Sequence, residues 1–347
     1  MSMLAEVVDV VIGVDTHKHT NTAAVVSAAT SAVIETATTG TDPDGYAALV
    51  ELADHHSGVR AWAIEGANGY GAGLARLLAE GGEVVIELDR PRRAARRHGA
   101  KSDPIDAVRA AREALTRDHL GAPRADGERA ALAVRLAARR LAVDSATDAQ
   151  RQIHGLVIAA PERLRSKLRN KTTAEMLKTC SGLRIDARWD VATRETAHVL
   201  RSVARRALAL AEEAKEHKKA IVAIIRSWRP DLLDNCGVGP IVAATVLCAW
   251  SHPGRVRNEA AFAMLAGTAP IPASSGMTVR HRLNRSGDRR LNQAIHTVVI
   301  TRMRVDPETK AYAQRRRAEG KSDREIKRCL KRYVTRQLFR QLENDQP

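Results

Sequence analysis

The sequence predicts a chain of mixed class, in which an α/β domain is followed by a long helical region. Short β-branched runs alternate with helical patterns up to about residue 118. Beyond that point strand signals almost disappear, and apolar residues recur at steps of three and four. The chain has 347 residues, 44% of them apolar, so it is long enough for two or three domains with cores of their own.

The first domain, residues 1–118, is predicted from the order of its elements. Residues 7–14 form a nearly continuous β-branched run, which is typical of a strand buried on both faces, and Asp15 ends it. Glu65 follows the fourth predicted strand. The remaining elements are predicted at 21–27, 32–38, 42–55, 59–64, 73–79 and 83–88. The resulting order, βββαβαβα with acids after the first and fourth strands, indicates a ribonuclease H-like (RuvC-like) fold.

Four carboxylates are the candidate metal ligands of this domain. Asp103 and Asp106 lie three residues apart and share one side of a predicted first helical turn. The predicted sheet brings Asp15 and Glu65 together, and the Asp103 helix packs across the same edge. Four carboxylates in a partly dehydrated site repel one another unless a divalent cation neutralises them. Oxygen ligands predict Mg²⁺, with Mn²⁺ as a substitute, and two such ions would suit phosphodiester displacement.

A plainer alternative stays open for this pair of acids. Asp103 is equally suited to cap a helix that has Pro104 at its first position. His17 and Lys18, beside Asp15, are explained equally well as phosphate contacts or as solvated loop residues.

The composition points to a polyanionic partner. Lys and Arg outnumber Asp and Glu by 56 to 40, giving a net charge of +16, and this excess favours nucleic acid. Aromatic residues make up only 3% of the chain, which argues against recognition by stacked bases as the main mode. No apolar run reaches the ~20 residues of a membrane span, and the N-terminus lacks a signal-peptide pattern. We therefore expect a cytoplasmic, nucleoid-associated bacterial protein without membrane contact.

Candidate nucleic-acid contacts come from two basic runs and one turn. Residues 90–101 lead into the carboxylate pair, and residues 280–290 follow a turn with two serines, Ser274 and Ser275. Gly237 and Gly239 have helix-hairpin-helix spacing, in which backbone N–H groups bind phosphate. A solvated face or a tight turn would explain each of them as well. The predicted contacts are Arg92, Arg93, Arg96, Arg97, Lys101, Gly237, Gly239, Arg280, Arg282, Arg285, Arg289 and Arg290.

Residues 119–228 form the predicted second domain, a helical coiled-coil region, and residues 229–347 a helical third domain. Two apolar seams carry this prediction, and they pair either within one chain or between chains. The stronger seam is Leu200, Val203, Ala207, Leu210, Ala214, His217, Ile221 and Ile224. The looser one is Leu132, Leu136, Val143, Ala146, Ile153 and Val157.

Six short motifs give the chain a family resemblance. They are Val14-Asp15-Thr16-His17-Lys18, Ile64-Glu65-Gly66 with Gly69-Tyr70, Lys101-x-Asp103-x-x-Asp106-Ala107, Gly237-Val238-Gly239-Pro240, Ala269-Pro270 leading to Ser275-Gly276, and Gly287-Asp288-Arg289-Arg290. With these motifs the chain resembles the DEDD transposases of insertion-sequence family one-ten, bridge-RNA-guided recombinases related to Piv-type DNA invertases. The resemblance implies that Asp15, Glu65, Asp103 and Asp106 bind metal and that Ser275 is a catalytic serine.

The same resemblance implies an RNA-guided recombinase that cuts and rejoins DNA strands. Its partners would be double-stranded donor and target DNA, a structured noncoding guide RNA, and further copies of the chain in a dimer or tetramer. The metal-binding domain and the serine domain, from different subunits, would act on one phosphodiester. Two alternatives stay open: a metal-dependent, structure-specific endonuclease of the junction-resolvase type, and a basic RNA- or DNA-binding protein without enzymatic activity.

Overall fold

The computed structural model describes residues 3–88, 102–273 and 281–344. The chain divides into two compact units, Met1–Arg124 and Ala125–Pro347. The first unit has a five-stranded sheet with helices on both faces, and the described part of the second is helical apart from one two-stranded ribbon. The predicted sequence of an α/β region followed by a helical region is therefore confirmed.

The sheet of the first unit has the order β3-β2-β1-β4-β5. Its strands are β1 (Val10–Thr16), β2 (Thr20–Ser27), β3 (Val33–Gly40), β4 (Arg60–Glu65) and β5 (Val85–Leu88). Strand β1 pairs antiparallel with β2 and parallel with β4. The first and fourth strands are thus neighbours, as the sequence predicted.

The predicted bounds of β1 were wrong at both ends. Leu4–Glu6 form a turn of 3-10 helix and Val7 is exposed, so the strand begins later than the β-branched run. It also continues past Val14, because Asp15 and Thr16 pair with residues of β2. The first candidate ligand therefore lies inside a paired strand.

Two helices cover one face of the sheet, and a third covers the other. Helices α1 (Pro43–Asp54) and α2 (Ala72–Glu80) pack on the face that includes Ile12. Helix α3 (Asp103–Thr116) packs on the opposite face, where Val11 meets a row of buried alanines of α3. The alternation along β1 therefore sends odd-numbered side chains toward α3.

The second unit is built on two long helices, α4 (Glu128–Ala159) and α7 (Val191–Trp228). They are antiparallel, because Arg135 Nη1 lies 3.2 Å from His217 Nδ1 while Arg206 Nη2 donates to Gln152 Oε1 at 3.3 Å. The other elements are α5 (Glu162–Leu168), α6 (Thr173–Ser181), α8 (Pro240–Trp250), α9 (Glu259–Leu265), β6 (Ile271–Pro272), β7 (His281–Arg282), α10 (Arg289–Val305), α11 (Pro307–Ala318) and α12 (Asp323–Asn344). Of the two pairings left open by the sequence, the structure contains the one within the chain.

One apolar residue of the predicted α4–α7 seam, Val143, is exposed. The exposed fraction of Val143 is 36%, whereas that of its neighbour Ala142 is 1%. The prediction for Val143 was wrong because close packing of two helices favours the smaller side chain. On α7 the predicted residues Leu200, Val203, Ala207, Ala214 and Ile221 are buried.

The last two helices, α11 and α12, are separated by a turn at Gly320. Gly320 has a φ of +82° between α11 and α12, a backbone conformation that favours glycine. Helix α12 buries an apolar stripe of Ile326, Leu330, Val334 and Leu338. Among the residues described, the structure contains no helix with the length and apolar character needed to cross a membrane.

Candidate functional site

Asp15 and Glu65 lie at the C-terminal ends of two neighbouring strands, β1 and β4. Asp15 continues the odd-numbered series that faces α3, and Glu65 continues the series of Ala61 and Ala63, which lie in the same cluster. Val14 is paired with Ile64 in the parallel register, so Asp15 and Glu65 follow side by side. The two predicted ligands therefore leave the sheet at the same edge and on the same face.

The start of α3 supplies the other two acids. Its N-cap is Ser102, and Asp103 is the first helical residue, so the predicted cap at Asp103 and Pro104 at the first position were each wrong by one residue. Pro104 occupies the second position, where a missing N–H is also tolerated. The carboxyl group of Asp103 therefore does not serve as the N-cap, and it extends toward the edge of β1 instead.

His17 joins the two parts of this site. Its Nε2 lies 3.3 Å from Asp15 Oδ2 and 3.4 Å from Asp103 Oδ1. One ligating atom from each of the three residues lies within 4.8 Å of the others. The sequence interpretation did not include His17 among the ligands. Its position two residues after Asp15, hence on the same side of an extended segment, was the available signal.

Asp106 and Glu65 are not part of that group of three. Asp106 accepts a hydrogen bond from Arg109 Nη1 at 2.9 Å, which turns its carboxylate along the helix. Thr16 Oγ1 donates to the carbonyl oxygen of Glu65 at 2.8 Å and fixes the end of β4 against β1. The structure thus brings Asp15 and Asp103 together, and it places the other two acids beside them.

The electrostatics of Asp15 favour a bound cation. Burial raises the pKa of Asp15, His17 opposes that rise, and the charges of Asp103 and Asp106 raise the pKa further. A positive ion would remove the cause of the last two effects. Carboxylate oxygens suit Mg²⁺ and Mn²⁺, while an imidazole nitrogen favours Mn²⁺ and later transition metals, so the donor set fits a divalent ion.

Most of the predicted serine segment and of the first basic run lies outside the described residues. This applies to Ser274, Ser275, Arg280 and the five contacts Arg92, Arg93, Arg96, Arg97 and Lys101. Arg282, Arg285, Arg289 and Arg290 are exposed on β7, the following turn and the start of α10.

The turn around Gly237 has a structural role. Gly237 has a φ of +83°, and a Cβ there would lie 3.0 Å from the Val298 carbonyl oxygen of α10. Arg302 Nε donates to the Cys236 carbonyl oxygen at 2.8 Å. The preceding helical segment, Pro230–Asp234, is only a short 3-10 helix. Gly239 is the N-cap of α8 and has open space around it.

Comparisons with known proteins match both units. Residues 12–160 match the model of the DEDD transposases of IS110 type, described as "Transposase". Residues 231–314 match the "Transposase IS116/IS110/IS902 family". An uncharacterized protein of insertion element IS110 from Streptomyces coelicolor is 29% identical over 147 residues, which are 42% of this chain and 36% of that relative. The aligned segment thus spans little more than a third of the relative.

Proposed function

Because the chain belongs to the IS110 family of DEDD transposases, we propose that it recombines DNA by cutting and rejoining strands at a metal-dependent site. The observation that carries this proposal is the meeting of Asp15, His17 and Asp103 at the end of β1. The sheet order, with β1 parallel to β4 and α3 across them, supports a ribonuclease H-like (RuvC-like) domain as its framework.

The proposed metal ligands are Asp15, Glu65, Asp103 and Asp106, with His17 as an additional nitrogen donor. A bound Mg²⁺ or Mn²⁺ would supply stabilisation of negative charge on a phosphodiester oxygen. The chain's own residues hold the site together: Thr16 ties β1 to β4, and the close packing of α3 on β1 keeps the two halves of the ligand set near each other.

Ser275 is the proposed nucleophile. Its Oγ would attack phosphorus, the bond from phosphorus to a deoxyribose oxygen would break, and that oxygen would leave with a proton. The resulting phosphoserine link keeps the energy of the broken bond available for rejoining. The family match over residues 231–314 includes this position, and the sequence places Arg280 and Arg282 close behind it.

The proposed partners are donor and target DNA duplexes, a structured noncoding guide RNA and further copies of the chain. The net charge of +16 supports nucleic-acid partners. Association of copies is supported by Val134 and Leu141, which are each 69% exposed on α4. They lie seven residues apart, hence on one side of the helix, and offer an apolar surface that α7 does not cover.

Recombination assays on four variants would test the proposal. Asp15→Asn and Ser275→Ala should abolish recombination, and Ser275→Ala should also abolish the covalent protein–DNA adduct on denaturing gels. Asp106→Ala should block the same step, whereas Ser274→Ala should be mild. If Ser275→Ala still cut DNA at the normal rate, water would be the nucleophile, and the chain would be a metal-dependent endonuclease of the junction-resolvase type.

The guide RNA calls for a separate experiment. The protein is expressed together with its flanking DNA, and the RNA that copurifies is sequenced. A single structured RNA from the flanking DNA would support guidance by RNA. Recovery of bulk cellular RNA alone would contradict it.

A further inference from the structure

The second unit contains a groove of about 1200 Å³ beside the β6–β7 ribbon. One wall is the exposed face of α12 from Arg324 to Arg336, and the other includes residues 267–270 and 281–284. The ribbon carries the segment that contains Ser275, since β6 ends at Pro272 and β7 begins at His281. The groove therefore lies beside the two strands that flank, in the sequence, the segment with the proposed nucleophile.

One face of α12 lines this groove with positive charge. Arg324, Lys327, Arg328 and Lys331 follow one another at steps of three, one and three residues, which places them on one side of the helix. Lys331 donates to Asn292 Oδ1 at 2.7 Å. The other three form no ion pair with any residue that the structure describes. Arg324 and Arg328 are exposed, and Lys327 is partly exposed.

Two further arginines of the lining, Arg332 and Arg336, share one carboxylate partner. Glu259 accepts hydrogen bonds from Arg332 at 2.6 and 2.9 Å and from Arg336 at 2.9 Å. These two arginines hold α9 against α12 and form the back of the groove. The paired arginines of α12 are thus different residues from Arg324, Lys327 and Arg328, which have no ion pair among the described residues.

Little negative charge offsets the unpaired cations. Glu325 is the only carboxylate in the described lining, and it accepts hydrogen bonds from the backbone N–H and hydroxyl of Ser322 at 2.9 and 2.7 Å. The sequence from 274 to 280 adds no acid. Burial lowers the pKa of His296, and the charges of Lys331 and Lys327 lower it further, which reflects the positive potential inside the groove.

Two exposed apolar side chains stand in the same lining. Tyr333 is 52% exposed and meets Tyr312 edge to face, with ring centroids 5.8 Å apart. Leu283, next to β7, is 54% exposed. A row of cations combined with an exposed aromatic ring is the usual means by which proteins hold an unpaired strand, phosphates on the charges and a base on the ring.

We infer that this groove binds one unpaired DNA strand, with its phosphates on Arg324, Lys327 and Arg328 and a base against Tyr333. This inference rests on the proposed function, because it places the strand beside the segment that carries Ser275. It extends that function by assigning a substrate-binding surface to α12 of the second unit. A groove of about 1200 Å³ is large enough for a few nucleotides of one strand.

Fluorescence anisotropy with a labelled single-stranded DNA of mixed sequence would test the inference. The full-length triple variant Arg324→Ala/Lys327→Ala/Arg328→Ala should bind the strand at least tenfold more weakly than wild type. Its slope of log affinity against log salt should be shallower by about 2. The control triple variant, Arg304→Ala/Lys310→Ala/Arg340→Ala, removes the same charge from exposed positions outside the groove and should change binding less than threefold.

Two further variants address folding and stacking. Arg324→Lys/Lys327→Arg/Arg328→Lys keeps the charges and should bind like wild type, while circular dichroism melting confirms that the alanine triple is folded. Tyr333→Leu should weaken strand binding about tenfold, and Tyr333→Phe should not.

Several results would overturn the assignment. They are an unchanged affinity and salt slope in the groove triple, an equal loss in both triples, an equal loss for the matching duplex, or a loss confined to an RNA strand. Binding is measured without divalent metal, so it does not depend on Ser275 chemistry. Normal cutting by Ser275→Ala would remove the proposed nucleophile and leave the groove result intact.

Discussion

A Cβ atom at Gly13 would lie 2.1 Å from the carbonyl oxygen of Ala107. The backbone of β1 and that of α3 are therefore in direct contact, which only a glycine permits at this position. Ala107 and Ala111, both fully buried, complete the contact from the helix side. This approach sets the height of α3 above the sheet and hence the distance between Asp15 and Asp103.

Substituting Gly13 should destabilise the first unit and widen its acidic site. Gly13→Ala forces α3 away from β1, and overpacking of this kind costs about 1–3 kcal/mol. Urea denaturation should show that loss, together with weaker Mn²⁺ binding. Gly155→Ala is the control, since a Cβ there has open space within α4 and should be neutral or stabilising. Equal stability of Gly13→Ala and wild type would contradict the close contact.

His17 should contribute directly to metal affinity. His17→Ala removes the nitrogen between Asp15 and Asp103, and we expect Mn²⁺ binding, followed by electron paramagnetic resonance, to weaken about tenfold. His19→Ala changes an exposed histidine of the same segment and should bind Mn²⁺ normally. If both variants bound Mn²⁺ as tightly as wild type, His17 would be a bystander.

The α4–α7 pair should depend on buried residues of α7. Ile221 is fully buried, so Ile221→Ala should lower the free energy of unfolding by about 2–5 kcal/mol. Leu208 is 42% exposed on the same helix, and Leu208→Ala should cost much less. Light scattering should show that neither variant changes the oligomeric mass, because the pairing is within the chain. Similar stability losses for both variants would argue against the observed helix orientation.

Acid should weaken the first unit through Glu83. Arg60 Nε donates to both carboxylate oxygens of Glu83, at 3.0 and 3.1 Å. Trp62 Nε1 donates to Glu83 Oε2 at 3.0 Å. These hydrogen bonds, those of Arg60 first, lower the pKa of Glu83 below its usual 4.5. The contribution of ionised Glu83 to the free energy of unfolding is fully present above the pKa of the unfolded chain. It is lost as the pH falls through the lower pKa of the folded protein.

The pH prediction is tested with Glu83→Gln. Its stability at neutral pH should be lower than that of wild type, and its decline between about pH 5 and pH 3 should be shallower. Urea unfolding at several pH values measures both effects. Parallel curves for the two proteins would show that Glu83 does not titrate differently on folding.

The order of elements in the first unit was predicted from the sequence because each element has a local pattern. The meeting of Asp15 and Glu65 followed from the fold class that this order indicates. A β-branched run followed by an acid indicates a buried strand with an acidic side chain at its end. His17 was missed because its spacing from Asp15 fits a solvated loop residue as well as a ligand. Only the placement of Asp103 by the Gly13 contact shows that its ring lies between two carboxylates.

Val143 illustrates a second limit of sequence interpretation. Ala142 and Val143 are both apolar and adjacent, so either one continues an alternating seam. Hydrophobicity favours the valine, but the distance between two packed helices favours the alanine. That distance depends on side chains of the other helix, more than fifty positions along the chain, and is not encoded in the local pattern.

The length of α7 has a mechanical consequence. With 38 residues, the helix extends about 57 Å. Its C-terminal part is held in the core with α8, while its N-terminal part packs with α6. Pairing with α4 stiffens it, so the two helices act as a lever. A rotation of about 10° at the anchored end displaces the far end by about 10 Å, given that length. A small rearrangement in the core would therefore produce a large displacement at the other end of α7.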